Sequence, residues 1–207
     1  SLKNSPKSEK DGFIKVIRGL RLPSGPSGAP TRGRPETLPT GRNFYSVDLR
    51  GLPTEAAWDL GRRSAEQVLG LHLLEKGEPL THLVLSAWGT STMRNGGEDI
   101  GQLLALMGIQ PVWDGSTRRL VDIEILPLSI LNRPRVDVTL RISGLFRDAF
   151  PQLIDLVYKA QRMISNLNEP ADLNPLAESF REKGIQGRIF GSAPGSYGAG
   201  LQALMDS

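Results

Sequence analysis

The chain is 207 residues long, with 39% hydrophobic residues, two histidines and no cysteine. This suits a globular protein with one good core or two small ones, and it excludes disulfides, thiolate metal sites and cysteine nucleophiles. No apolar run approaches the ~20 residues that cross a bilayer and no signal peptide is recognisable, so we expect a cytoplasmic protein without a membrane span.

The charge is distributed unevenly along the chain. Nine Lys/Arg and three Asp/Glu precede Asn43, whereas 16 Lys/Arg and 19 Asp/Glu follow it. A nucleic-acid-binding protein normally carries its basic residues on the folded body, so we expect no nucleic-acid partner. Residues 1–39 are rich in Pro, Gly, Ser and Lys and predict an extended linker or arm. Its one apolar island, Phe13–Ile17, is long enough to add a short strand.

After the arm, segments with the hydrophobic pattern of a helix alternate with segments that have the pattern of a strand. Thr54 is placed to cap a helix that runs to Lys76 with one buried stripe. Thr81–Trp88 contains the run Leu-Val-Leu, which is typical of a strand buried on both faces. A glycine-rich loop follows, and then a helix over Glu98–Met107.

The second half continues the alternation. Residues 121–125 predict an edge strand or hairpin arm, and residues 135–142 a strand with one polar face. The other predicted elements are a strand at 110–113, helices at 149–167 and 176–183, and a short strand at 188–190. We therefore expect an α/β fold for residues 40–207, layered, with a largely parallel sheet flanked by helices.

Three glycine-rich segments each follow a predicted strand: Gly89–Asp99, Ser143–Asp148 and Gly191–Gly200. Ligands of open α/β sheets bind outside the carboxyl ends of the strands, so we expect these segments to converge on one rim. Each runs toward a helix start, where backbone amides favour a carboxylate or phosphate. None has the Walker A or dinucleotide-binding pattern, so we predict no nucleotide site.

Four ordered segments, residues 38–48, 88–99, 133–150 and 188–200, resemble the large subunits of cobaltochelatase and magnesium chelatase. Trp88-Gly-Thr, Met93-Arg and the Tyr-Gly-Ala-Gly run from Tyr197 look closer to the cobalt branch. The resemblance implies a fragment, truncated at both ends, of a far longer subunit that binds a corrin tetrapyrrole and takes cobalt as substrate. It also implies that AAA+ ATPase and accessory partner subunits use the ATP and magnesium, and that the fragment is inactive alone.

Metal insertion removes two pyrrole protons and exchanges the water ligands of the metal, which calls for carboxylate bases and for donors to the acidic side chains of the macrocycle. On that chemistry Glu98 and Asp99 are candidate base or metal-relay groups. The candidates to contact the substrate are Arg42, Thr90, Arg94, Arg147, Asp148 and Tyr197.

Simpler interpretations stay open. Glu98 and Asp99 also suit the first turn of a helix, whose dipole favours acidic residues, and Arg147 and Asp148 suit a local ion pair. At the level of function, the alternatives are the equivalent region of a magnesium chelatase, a non-catalytic docking domain of such a subunit, and a free-standing binding protein for a phosphorylated metabolite.

Overall fold

The structure, a computed structural model of the chain, describes residues 2–26, 30, 35–42, 47–184 and 187–197. The chain divides into two compact units, Ser1–Leu49 and Arg50–Ser207. The prediction of an arm over 1–39 and an α/β portion over 40–207 remains a prediction about domain organisation.

The first unit contains helix α1 (Ser5–Ile17), preceded by a short 3₁₀ turn. The apolar island of the arm therefore lies in a helix, and the short strand expected there was wrong. A proline in the first turn suits a helix start, because its fixed φ is already helical. The backbone amide of Thr40 donates to Ser5 Oγ (3.1 Å), and a Cβ on Gly12 would lie 2.6 Å from the carbonyl oxygen of Gly41. Close backbone contact thus holds residues 40–41 against α1.

The second unit opens with the predicted helix α2 (Glu55–Lys76). Thr54 Oγ1 accepts a hydrogen bond from the Ala57 amide (3.1 Å), and Gly77, with φ 74°, ends the helix in the left-handed conformation. Gly61 is buried against the backbone of a later helix: a Cβ added to Gly61 would lie 2.6 Å from the carbonyl oxygen of Glu98. Only the small residues of the predicted stripe are fully buried, because close backbone approach needs small side chains.

Three strands form a parallel sheet in the order β1 (His82–Ala87), β4 (Asp137–Ile142) and β5 (Ile189–Gly191). β2 (Ile109–Trp113) and β3 (Leu120–Ile125) form a separate antiparallel pair. The prediction of an α/β structure with a parallel sheet is confirmed. Burial of β1 on both faces was wrong, because Val84 is 68% exposed.

The described part of the second unit contains six further α-helices. The core centres on α4, whose apolar residues are buried between α2, α7 and the sheet. Two of the expected glycine-rich loops begin as short helices, α3 and α6, which corrects the sequence prediction. The bounds are α3 Gly89–Asn95, α4 Glu98–Met107, α5 Leu128–Leu131, α6 Gly144–Ala149, α7 Pro151–Ser165 and α8 Pro175–Lys183.

Two arginines bind the carboxyl end of α4. Arg133 donates to the carbonyls of Ala105 (2.6 Å) and Leu106 (3.0 Å). Arg135, which the sequence placed on the polar face of β4, is fully buried. It donates to the carbonyls of Met107 (3.1 Å), Gly108 (3.2 Å) and Leu126 (2.9 Å) and makes a two-bond ion pair with Glu169 (2.7 and 2.8 Å). The two arginines therefore fix the position of the end of α4. Because the helix is rigid, they also fix the position of its first turn.

Candidate functional site

The carboxyl ends of the three parallel strands lie at one edge of the sheet, and the three glycine-rich segments start there. The backbone amide of Gly89 donates to Ser143 Oγ (3.2 Å), and a Cβ on Gly89 would lie 2.7 Å from Leu145 Cγ. A Cβ on Gly144 would overlap the carbonyl oxygen of Ser196. The expected convergence on one rim is confirmed, and glycine at 89 and 144 is what lets the segments pack this closely.

Ser143 joins two of the converging segments and is a residue that sequence reasoning missed. Its hydroxyl accepts from the Phe146 amide (3.1 Å), which caps α6, and from the Gly89 amide at the start of α3. One side chain thus satisfies donors at two helix starts. Serine directly after a strand and three residues before a buried phenylalanine is a capping signal that could have identified it.

Arg147, Asp148 and Tyr197 form one hydrogen-bonded cluster. Arg147 binds both carboxylate oxygens of Asp148 (2.7 and 3.0 Å) and donates to the carbonyls of Ser192 (2.7 Å) and Ala193 (2.6 Å). The Tyr197 hydroxyl donates to Asp148 Oδ2 (2.9 Å). The cluster ties the segment after β5 to α6.

Electrostatics within this cluster favour charged Arg147 and Asp148 and a neutral Tyr197. Hydrogen bonding from Arg147, and then from Tyr197, lowers the pKa of Asp148, and the Asp148 carboxylate raises the pKa values of Arg147 and Tyr197. Arg147 uses four of its five N–H groups on these partners, so one remains to meet a ligand.

Glu98 and Asp99 occupy the first turn of α4. The Val136 amide, just before β4, donates to Leu106 O (3.1 Å) at the other end of this helix, so α4 runs antiparallel to the strands. Its start therefore lies toward the carboxyl edge of the sheet. Asn95 Oδ1 accepts from the amides of Gly97 (3.0 Å) and Glu98 (3.3 Å) and caps the helix.

The two carboxylates are half-buried, and neither forms a hydrogen bond or ion pair with the part of the chain that the structure describes. Burial, and then the neighbouring charge of Glu98, raises the pKa of Asp99 above its ordinary value. A carboxylate in this position accepts a proton more readily than an ordinary aspartate does. This is the property that proton removal from a ligand requires.

The remaining candidates are placed as follows. Thr90 and Arg94 are exposed on α3, in its first and last turns, directly after β1. Arg42 belongs to the first unit, where it is exposed and lines an open groove of about 430 Å³ together with Lys7 and Lys15 of α1. The structure thus packs α3, which carries Thr90 and Arg94, against α6, which carries Arg147 and Asp148, and ties α6 to Tyr197. Arg42 is described within its own unit.

Two further kinds of feature are absent from the described ranges. In those residues, no three His, Asp or Glu side chains lie close enough to hold a metal ion. No helix among them has the length and apolar character needed to cross a membrane.

Comparison with known proteins identifies the family. The family model described as CobN/Magnesium Chelatase matches residues 1–207. The chain belongs to the CobN/magnesium chelatase family. This bears out the resemblance noted in the four sequence segments.

Three members of this family show how the chain relates to it. It is 50% identical, over 96% of its length, to the aerobic cobaltochelatase subunit CobN of Pseudomonas aeruginosa, and it spans 17% of that protein. It is 33% identical, over 95% of its length, to a magnesium-chelatase subunit of Rhodobacter capsulatus, again covering 17%. The solved catalytic subunit of cobaltochelatase from Mycobacterium tuberculosis is 43% identical with a TM-score of 0.75, over 96% of this chain and 18% of that one.

Proposed function

We propose that the chain is part of the large, tetrapyrrole-binding subunit of an ATP-dependent cobaltochelatase, here called the parent subunit. That enzyme inserts cobalt, as substrate, into a corrin ring, hydrogenobyrinic acid a,c-diamide, in cobalamin biosynthesis. The observation that carries this proposal is the identity of 50% to a cobaltochelatase subunit against 33% to a magnesium-chelatase subunit, each over nearly the whole chain.

The proposed chemistry assigns proton removal to the start of α4. A metal ion enters the ring as the N–H protons of the ring leave, one from a corrin and two from a porphyrin, so a base must stand near the ring nitrogens. Glu98 and Asp99 suit this role because they are half-buried and unpaired among the described residues, and because the pKa of Asp99 is raised. Oxygen ligands at the same place would also replace water on the incoming cation.

Substrate recognition falls to the donors around the rim. Arg94 and Thr90 are exposed after β1 and are proposed to bind the acidic side chains of the corrin. Arg42, exposed within the first unit, is proposed separately as a substrate-binding residue. Arg147, Asp148 and Tyr197 are proposed to contact the ring through the remaining Arg147 N–H and the exposed phenol while holding their segment in place. Their mutual bonds favour a rigid contact surface over a flexible one.

Partner subunits complete the proposed enzyme. We propose that AAA+ ATPase and accessory subunits bind and hydrolyse ATP with magnesium and drive the parent subunit, in the cytoplasm, where the nucleotide pool lies. The nearest alternative within the family is insertion of magnesium into a porphyrin. The two differ in both metal and macrocycle, so one assay can separate them.

The test uses the complete parent subunit with its ATPase partners. Cobalt(II) with hydrogenobyrinic acid a,c-diamide is compared with magnesium and protoporphyrin IX, with and without ATP, by following the absorbance change of each macrocycle. ATP-dependent turnover of the cobalt–corrin pair alone is expected. Turnover of the magnesium–porphyrin pair instead would overturn the cobalt assignment and leave the family assignment intact.

A second candidate, a docking role within the same subunit, is favoured by exposed apolar side chains on two helices. Phe13 and Ile17 of α1 are each 69% exposed, and Leu74 of α2 is 83% exposed. If docking is the main role, Leu74→Ser in the parent subunit will weaken assembly with the partners and leave corrin affinity unchanged. Substitution of Arg94 with glutamine is the matched test of the substrate role, and it should lower corrin affinity with assembly unchanged.

A further inference from the structure

Among the described residues, the outer face of the three-stranded sheet is exposed toward the carboxyl ends of its strands, whereas its inner face is covered. At the start of β4 the outer face carries the buried ion pair of Asp137 and Arg188 (3.0 Å). Side chains alternate between the two faces along each strand. Leu85 and Ala87 of β1 and Leu140 of β4 point inward and are buried against the helices. On the other face, Val84 is 68% exposed and Phe190 is 56% exposed.

The register of the strands places a row of large side chains across this outer face. Ser86 of β1 pairs with Arg141 of β4, and Arg141 pairs with Phe190 of β5. Trp88, two residues beyond Ser86 and 44% exposed, lies with Ser86 and Arg141 around a small depression at the end of β1. Arg141 is thus flanked by an aromatic residue on each side.

This composition is that of an interface rather than of a solvent-facing surface. Tryptophan, phenylalanine and arginine are enriched in the centres of protein interfaces, where they act as anchors. Parallel sheets, moreover, occur almost only with both faces covered, because crossover helices pack on each side. The part of this parallel sheet that exposes Val84 and Phe190 therefore has one face that no helix of the described residues covers.

We propose that this outer face, centred on Val84, Trp88, Arg141 and Phe190, is the docking surface for a helical segment of the parent subunit that lies outside residues 1–207. The share of the family covered by the chain supports this occupant, since 207 residues span only 17–18% of the cobaltochelatase relatives. A helical layer is the usual cover of a parallel sheet, and an apolar one complements Val84, Trp88 and Phe190.

The docked layer borders the candidate site. Trp88 directly precedes α3, and Ser143, its neighbour in the depression, caps α6. The docking segment therefore forms a second wall beside the rim on which the three glycine-rich segments converge. This inference rests on family membership and on the sheet, and not on which metal or macrocycle the enzyme uses.

Thiol labelling tests the proposal, because the chain contains no cysteine. Val84→Cys places a thiol on the outer face, and Leu85→Cys places one on the covered face of the same strand. Each is made in the 207-residue chain and in the parent subunit. The rate of modification by a maleimide is followed peptide by peptide by mass spectrometry and divided by the rate in urea, so that other cysteines of the parent subunit do not interfere.

The expected result is specific to one position in one protein. The thiol at 84 reacts within about tenfold of its unfolded rate in the isolated chain and at least about a hundredfold more slowly in the parent subunit. The thiol at 85 is slow in both. Circular dichroism and the urea midpoint confirm that each variant is folded.

Two results would overturn the proposal. Equal reaction rates at position 84 in chain and parent subunit would mean that nothing docks there. Slow reaction in the isolated chain itself would mean that a second copy, or the chain's own residues, cover the face, and a dependence on protein concentration distinguishes these. None of these outcomes depends on metal insertion, so failure of the proposed cobalt chemistry would not be confused with failure of docking.

Discussion

The sharpest test of how the site is held concerns Arg135, which lies far from the rim in the fold but fixes the end of α4. Arg135→Met removes the donor to three backbone carbonyls and leaves the Glu169 carboxylate without its two-bond partner. Removing one partner of a buried ion pair costs about 3–5 kcal/mol, and each carbonyl left without a donor costs about 1–3 kcal/mol. The Gly108 carbonyl is not among these, because it still accepts from the Leu126 amide (2.9 Å).

Glu169 keeps some contact with solvent, since 16% of its side chain is exposed, so part of its charge can be rehydrated. Even with the ion-pair cost reduced in this way, we expect a total loss of at least about 3 kcal/mol, a fifth or more of the free energy of unfolding of a marginally stable domain. Urea unfolding followed by tryptophan fluorescence measures it, because all three tryptophans belong to the second unit. With an m-value of about 1–3 kcal/mol/M, the midpoint should fall by at least about 1 M.

The matched control is Arg118→Met, which breaks an exposed ion pair with Glu55 (2.9 Å) and should change stability by less than about 1 kcal/mol. Hydrogen bonding from Arg135 lowers the pKa of Glu169, so the stabilisation from this pair is complete above the ordinary glutamate pKa and declines as the pH falls. The gap between wild type and Arg135→Met should narrow at acid pH. A loss no greater than that of the control would refute the idea that Arg135 anchors α4.

Three further predictions concern the rim. The pKa of Asp99 is raised, so the stability that its protonated form contributes is lost as the pH rises through that pKa. Asp99→Asn should therefore raise the urea midpoint at pH 7. If Asp99 served only to complement the helix dipole, the same substitution would instead lower the free energy of unfolding by about 0.3–1 kcal/mol. Glu98→Gln in the parent complex should slow cobalt insertion by at least about tenfold at unchanged corrin affinity, and normal turnover would remove Glu98 as the base. Gly144→Ala should displace the segment carrying Ser196 from the rim and lower the free energy of unfolding by about 1–3 kcal/mol, measured by thermal unfolding. An unchanged melting temperature would show that this contact can accommodate an added methyl group.

The sequence predicted the elements whose ends carry local signals. Thr54 and Gly77 bracket α2 as a cap and a left-handed terminus, and α4 has the predicted bounds because Gly97 and Gly108 flank it in left-handed conformations. The convergence of the glycine-rich segments was also predictable, since parallel strands bring their carboxyl ends to one edge. These features depend on residues close in sequence or on a general rule of topology.

The features that the sequence did not predict depend on distant partners. An apolar run such as the one containing Val84 indicates a strand but does not tell whether a layer covers its second face. The burial of Arg135 depends on carbonyls at 107, 108 and 126, which no local pattern connects to it. Likewise, the motif around Arg147 suggested a ligand clamp or an ion pair, and only the fold shows its bonds to residues 192 and 193.

Some polar side chains of the rim form hydrogen bonds with one another, and others have no partner among the described residues. The two kinds of side chain suit different roles. Arg147, Asp148 and Tyr197 bind one another and hold two segments together, so they are suited to keeping a surface rigid. Glu98 and Asp99 have no such partner among the described residues and lie half-buried on a helix anchored at its far end by Arg135. Leaving carboxylates unpaired in a partly buried position costs stability, and a fold that fixes the helix behind them keeps them available for proton transfer at a defined position.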